Sequence, residues 1–190
     1  MPSTPTRDQL ISLARAAAAA HSLDPALVCA VCEQESAWNP WAIRYEPGFL
    51  ARYVAPLFTA GKISATEAYA RSFSWGLMQV MGQVAREHDF TGASVAQLCD
   101  PATGLDVGCQ VLAHKFASAG ATKSADDASA HSPIICPKCG AVQDGIVGAP
   151  RAVPACGFSP DIISRALQLW NGGANPDYAA QVLARVKNYL

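Results

Sequence analysis

The stretch Asp24-Pro25-Ala26-Leu27-Val28-Cys29-Ala30-Val31-Cys32-Glu33-Gln34-Glu35-Ser36-Ala37-Trp38-Asn39-Pro40 joins a helix start, an apolar helical face and a proline stop, with a carboxylate near its end. Leu23 offers a staple residue able to touch Val28, Asp24 a cap and Pro25 a first-turn proline. Leu27, Val28, Val31 and Cys32 recur at helical spacing. Asn39-Pro40 is expected to stop the helix, because proline excludes the helical conformation at the residue before it. Glu35 then falls in the last turn beside Val31, Cys32 and Trp38, where a carboxylate is partly desolvated. Desolvation raises a carboxyl pKa and so keeps a Glu protonated near neutrality, able to donate to a leaving oxygen. Taken alone, a helix-terminal Glu reads more readily as a solvated surface charge.

Outward from this stretch the chain is a succession of helix signals. Thr6-Arg7-Asp8-Gln9 is a capping box that opens an Ala-rich helix to about His21. Between Trp41 and Phe73 the pattern is irregular, with a short helix expected near Phe49 to Phe58 and another opened by the capping box Ser64-Ala65-Thr66-Glu67. Ser74-Trp75-Gly76 reads as a turn and Leu77 to His88 as a helix. After a polar turn at Thr91-Gly92, Asp100-Pro101 caps a helix running toward Phe116. Ser159-Pro160 starts a helix through Trp170, Asn171-Gly172-Gly173 ends it, and Asn175-Pro176 caps a final helix to Leu190. The class expected is all-α, a single domain over residues 1–190 with a small Cys-containing insert at 120–160, where Ser, Ala, Gly and Pro dominate.

Composition narrows the possible functions. The 190 residues leave room for one domain, and 15 Asp+Glu against 14 Lys+Arg give a formal charge of -1, without the basic excess that neutralises phosphates. No nucleic-acid partner is expected. No apolar run is long enough to span a membrane, and Arg7, Asp8 and Arg15 interrupt the Leu10 to Ala20 stretch, so neither membrane insertion nor a signal peptide is expected. Seven Cys, an odd number, argue against a fully paired disulfide framework and fit a reduced compartment or a metal site.

Three blocks carry a family resemblance: Glu35-Ser36-Ala37-Trp38-Asn39-Pro40, then Ser74-Trp75-Gly76-Leu77-Met78-Gln79-Val80-Met81, then Leu169-Trp170-Asn171-Gly172-Gly173. In this order they resemble the signature blocks of soluble lytic transglycosylases with the goose-type lysozyme-like fold. Asp100-Pro101 and the closing Tyr178-Ala179-Ala180-Gln181-Val182-Leu183 resemble the family too. The resemblance implies cleavage of the β-1,4 bond between N-acetylmuramic acid and N-acetylglucosamine in peptidoglycan, by a monomer that needs no catalytic cofactor. By analogy, Glu35 protonates the glycosidic oxygen, then takes the proton of the sugar's own 6-hydroxyl, closing an anhydro ring without water. The substrate's acetamido group and hydroxyl replace the second carboxylate of the usual two-carboxylate scheme.

The other blocks supply substrate-binding candidates. Ser36 is expected to steady the Glu35 carboxyl or the acetamido group, and the Gly76 turn to let backbone approach the sugar. Leu77 belongs to the same block, and the resemblance assigns Met78 and Gln79 to muramoyl binding. Trp170 stands where the family usually has Tyr, so a hydroxyl hydrogen bond toward the catalytic Glu is expected to be lost, while Asn171 keeps an amide for a sugar substituent. Arg44-Tyr45-Glu46 lies on a linking segment longer than in the simplest members, similar to a subgroup found in phage-borne lysins. Glu46 reads either as a second acid facing the cleft, which would make the enzyme a hydrolytic muramidase, or as an Arg44 to Glu46 surface pair. A third reading is a catalytically silent wall-binding or virion module. A chain made in the cytoplasm without a signal peptide would reach the wall as a phage lysin or virion component.

The insert has its own logic. Cys136-Pro137-Lys138-Cys139-Gly140 has the spacing of a zinc knuckle, and Cys156 with His131 would complete a structural zinc set. The same three Cys read alternatively as free thiols or as holding one disulfide. Cys29 and Cys32 are expected in the core. Cys99 and Cys109 read as packing residues or a disulfide, and His21, His88 and His114 as surface or structural.

Overall fold

The computed structural model describes residues 4–121 and 158–190 and the two short strands Ile134–Ile135 and Val142–Gln143. Helix α1, Arg7–Ala20, has the expected capping box, Thr6 and Gln9 each accepting from the other's backbone N–H. Helix α2, Pro25–Ser36, is capped by Asp24, which accepts from the Leu27 N–H at 2.9 Å. Residues Ala26 to Cys32 are all buried, so α2 is the central helix, with α1 and the last helix packed on it.

Proline does not stop α2. The helix ends at Ser36, where Ala37 (φ 49°) and Trp38 (φ 67°) turn left-handed. That conformation costs about 1–2 kcal/mol per non-glycine residue, offset here by the buried Trp38 ring, whose indole N–H donates to the Tyr189 hydroxyl at 2.8 Å.

A small antiparallel sheet interrupts the helical body, which the helix-only reading missed. Its strands are β1, Ile43–Tyr45, β2, Phe73–Trp75, and β3, Val80–Met81, in the order β1-β2-β3, with Arg44 opposite Ser74 and Ser74 opposite Met81. The segment expected to turn at 74–76 is therefore mostly strand. The helix expected from Leu77 to His88 shrinks to α6, Gly82–Glu87. Positive φ at Gly76 (71°) and Gln79 (49°) breaks the helical path.

Between β1 and β2 lie α3, Pro47–Phe49, a wider π turn at Leu50–Val54, α4, Ala55–Thr59, and α5, Ala65–Arg71. Ser64 caps α5 by accepting from the Glu67 N–H, but Glu67 does not complete the box. Its carboxylate instead takes Arg71 and Arg86, each at 2.8 Å, and ties α5 to α6. A 3-10 turn at Val95–Cys99 leads to α7, Pro101–Ala121, where Asp100 accepts from the Thr103 N–H. The strands β4, Ile134–Ile135, and β5, Val142–Gln143, pair with one another. Helix α8, Pro160–Trp170, has the expected limits. The last helix, α9, starts at Tyr178 rather than at the Asn175-Pro176 turn, runs to Val186 and tightens into a 3-10 turn at Lys187–Tyr189.

The core gathers side chains from every long helix, among them Leu10, Val28, Val31, Leu105, Leu112, Leu167 and Val182. Cys29, Cys32, Cys99 and Cys109 are buried free thiols, so no Cys99 to Cys109 disulfide forms. His131, Cys136, Cys139 and Cys156 lie outside the described residues. Among the described residues no group of three or more His, Cys, Asp or Glu is placed to hold a metal, and no helix is long and apolar enough to cross a membrane.

Candidate active site

The last turn of α2 opens onto a cleft of about 510 Å³. Glu35 lines it. The sheet contributes Arg44, Ser74 and Met81, α7 contributes Val111 and Lys115, and the end of α8 contributes Leu169, Trp170 and Asn171. Both polar donors that reach Glu35 come from the C-terminal helices. The Trp170 indole N–H donates to Oε1 at 3.0 Å and the Tyr178 hydroxyl donates to the same oxygen at 2.5 Å. Oε2 has no hydrogen bond among the described residues, so a proton on this carboxyl belongs on Oε2.

Burial raises the pKa of Glu35, and the Tyr178 and Trp170 hydrogen bonds and the Arg44 charge only partly offset it. Desolvation penalises the ionised form more than two neutral donors and a largely exposed guanidinium favour it. The Tyr178 hydroxyl is itself pushed well above its usual range by burial and by the neighbouring carboxylate, so it acts as a fixed donor.

The expectation for Trp170 is corrected by this geometry. Replacing Tyr with Trp does not remove the hydrogen bond to the glutamate, because an indole N–H donates as a phenol does, and a hydroxyl is supplied separately by Tyr178. Sequence reasoning did not single out Tyr178, although it opens the closing family-like segment directly after the Asn175-Pro176 turn.

Several candidates are placed otherwise than expected. Ser36 Oγ donates toward the carbonyls of Leu77 (2.8 Å) and Cys32 (3.1 Å), fastening the β2–β3 connection to α2 rather than holding the Glu35 carboxyl. What approaches Gly76 closely is not the cleft but the Leu98 carbonyl, 2.2 Å from where a Cβ would stand. Leu77 and Met78 are each 1% exposed and sit in the core behind the cleft, with Met78 against Gly108. Tyr45 turns its ring onto Phe73, opposite it in the sheet, and does not line the cleft.

Gln79, Asn171 and Glu46 do line it. Gln79 donates to the Ala42 and Gly76 carbonyls and accepts from Ser74, so its amide is engaged in holding the turn. Asn171 Nδ2 donates to the Asn175 carbonyl at 3.1 Å. Glu46 lines the cleft and is paired with Arg44 at 2.5 Å, the ion pair of the second sequence reading.

A helical body around one buried helix, with a desolvated glutamate at that helix's end and an open cleft above it, defines a lysozyme-like glycan-cleaving enzyme. The family model described as Transglycosylase SLT domain matches residues 12–129, and the chain belongs to that family of peptidoglycan-cleaving lytic transglycosylases. Catalysis in the family needs no cofactor. No curated protein and no solved structure matches the chain. The family match ends before α8, so Trp170 and Tyr178, the two donors to Glu35, lie outside it.

Proposed function

We propose that the domain cleaves the β-1,4 bond between N-acetylmuramic acid and N-acetylglucosamine with Glu35 as sole general acid and base, leaving 1,6-anhydro ends. The observation that carries this reading is the pairing of a raised Glu35 pKa with an Oε2 that has no hydrogen bond among the described residues, on a side chain that lines the cleft. The proton on Oε2 passes to the glycosidic oxygen as its bond to C1 of the muramoyl sugar breaks, and the N-acetylglucosamine leaves as an alcohol. The resulting Glu35 carboxylate takes the proton of the muramoyl 6-hydroxyl as O6 bonds to C1. Glu35 ends protonated, and no water is consumed. Tyr178 and Trp170 hold Oε1 through both steps, which keeps Oε2 aimed at the substrate.

Mass spectrometry of digested peptidoglycan tests the reading, with anhydro-terminated muropeptides as the expected product. Glu46 in the same cleft favours a second reading, in which it activates water, and reducing ends would then replace the anhydro ends. Against that second reading, Glu46 is committed to Arg44. A phage or virion release route rests on the length of the segment between the first two family blocks, and a neighbouring holin or tail gene would test it. The structural zinc of His131, Cys136, Cys139 and Cys156 rests on Cys spacing; less than about a tenth of an equivalent of zinc by elemental analysis would sink it.

A further inference from the structure

Among the described residues four charged side chains line the cleft: Glu35, Arg44, Glu46 and Lys115. Three of them have partners. Glu35 takes Tyr178 and Trp170, and Arg44 and Glu46 hold each other. Lys115 is half-buried on the α7 wall, one turn beyond Val111, and has neither an ion pair nor a hydrogen bond among the described residues. Beside it on α7, His114 stacks its ring edge to face on His88 at 4.6 Å. Burial lowers the His88 pKa most, His114 and Lys115 lower it further, and Glu87 and Asp89 raise it, so this corner holds charges of both signs.

A partly desolvated ammonium without a counter-charge is unfavourable for folding alone. With Glu35 protonated, as acid catalysis requires, Arg44 and Glu46 cancel, and among the described residues Lys115 is left as the cleft charge without an ion-pair partner. An anion on the substrate would complete the balance. In peptidoglycan the sugars are neutral, the muramoyl lactyl group is tied up as an amide, and the carboxylates are on the peptide stem. We propose that Lys115 binds a peptide-stem carboxylate and makes the enzyme prefer peptide-bearing strands by their charge. Position supports this, because Lys115 and Glu35 line the same cleft. The proposal rests on the reading of this cleft as the glycan-binding site.

The test compares soluble peptidoglycan strands with the same strands after carbodiimide amidation of their carboxylates, which removes charge and keeps sugar and peptide. Lys115→Met should raise KM about two- to fivefold on native strands, as expected for one partly screened charge pair. On amidated strands the ratio of mutant to wild-type KM should fall to about one, and Lys115→Arg should restore the preference for native strands. Raised salt should shrink the difference between the two substrates. A KM ratio that is the same on both substrates, whether one or ten, overturns the assignment. The ends produced are read on the same digests. Reducing ends would sink the transglycosylase reading and leave the charge comparison intact, because a KM ratio does not depend on how the broken bond is resolved. If turnover is absent, strand binding by co-sedimentation gives the same comparison as a ratio of Kd.

Discussion

The Tyr178 hydroxyl stands 2.5 Å from Oε1 of Glu35, across 143 residues of sequence. It lowers the pKa that burial raises, and it fixes which carboxyl oxygen is left for the proton. Tyr178→Phe should therefore do two things. Loss of a donor that favours the carboxylate raises the Glu35 pKa further, so the alkaline limb of the pH–activity profile, which follows loss of the acid proton, moves to higher pH. Loss of orientation lowers kcat by about tenfold, in keeping with one hydrogen bond to a charged group. Trp170→Phe should act in the same direction. A profile that shifts to lower pH would contradict this account of Glu35.

Glu35→Gln separates activity from stability. The amide oxygen still accepts from Tyr178 and Trp170, but the side chain no longer donates and retrieves a proton, and general acid/base catalysis is typically worth ~10²–10⁴-fold. Stability should move the other way. A carboxyl whose folded pKa lies above its unfolded value contributes most below the unfolded pKa and loses that contribution as pH rises through the folded value. The variant should thus melt higher than wild type at pH 7 and gain nothing at pH 3. Half of wild-type lysis retained by the variant would remove Glu35 from the mechanism.

Two glycines receive the same carbonyl. A Cβ at Gly76 or at Gly104 would each stand 2.2 Å from Leu98 O, and Gly76 is also left-handed at φ 71°. Gly76→Ala and Gly104→Ala should each destabilise by about 3 kcal/mol or more, since the obstacle is backbone and not a movable side chain. Gly172 has φ 66° with open space around it. Gly172→Ala should cost only the left-handed penalty of about 1–2 kcal/mol. Denaturant titration of the three variants gives the order.

The starts of α1, α2 and α8 were legible because capping is local. Thr6, Asp24 and Ser159 each accept from a backbone N–H three residues on. The sheet was not legible, since β1 meets β2 across some thirty residues and only the pairing makes either one a strand. Leu77, Met78, Val80 and Met81 look helical by apolar content, and the left-handed Gly76 and Gln79 break the run, Gly76 where it packs against the distant Leu98 carbonyl. Glu35 was legible from its block and its apolar neighbours. Tyr178 and Lys115 join it only when α9 packs on α2 and α8 packs on α7 and α9, which no local pattern announces.

The ion pair of Arg44 with Glu46 sets the remaining charge near Glu35. Arg44 lowers the Glu35 pKa, the weakest of the influences that oppose burial, and its own charge is opposed by Glu46 at 2.5 Å. Glu46→Gln leaves the guanidinium uncompensated, favours ionised Glu35 and should move the alkaline limb of the activity profile to lower pH. Arg44→Met removes the guanidinium and should move the limb to higher pH. The double variant should lie close to wild type, because it removes both charges. In a single-carboxylate transglycosylase, Glu46→Gln should cost less than about tenfold at its own pH optimum, since an exposed pair contributes at most about 1 kcal/mol. In a two-carboxylate hydrolase the same change removes the base, and the loss should be ~10²–10⁴-fold at every pH. Full profiles of kcat/KM against pH for the three variants separate the two cases, because a displaced limb with its height kept marks an electrostatic neighbour and a collapsed profile marks a proton-transfer partner.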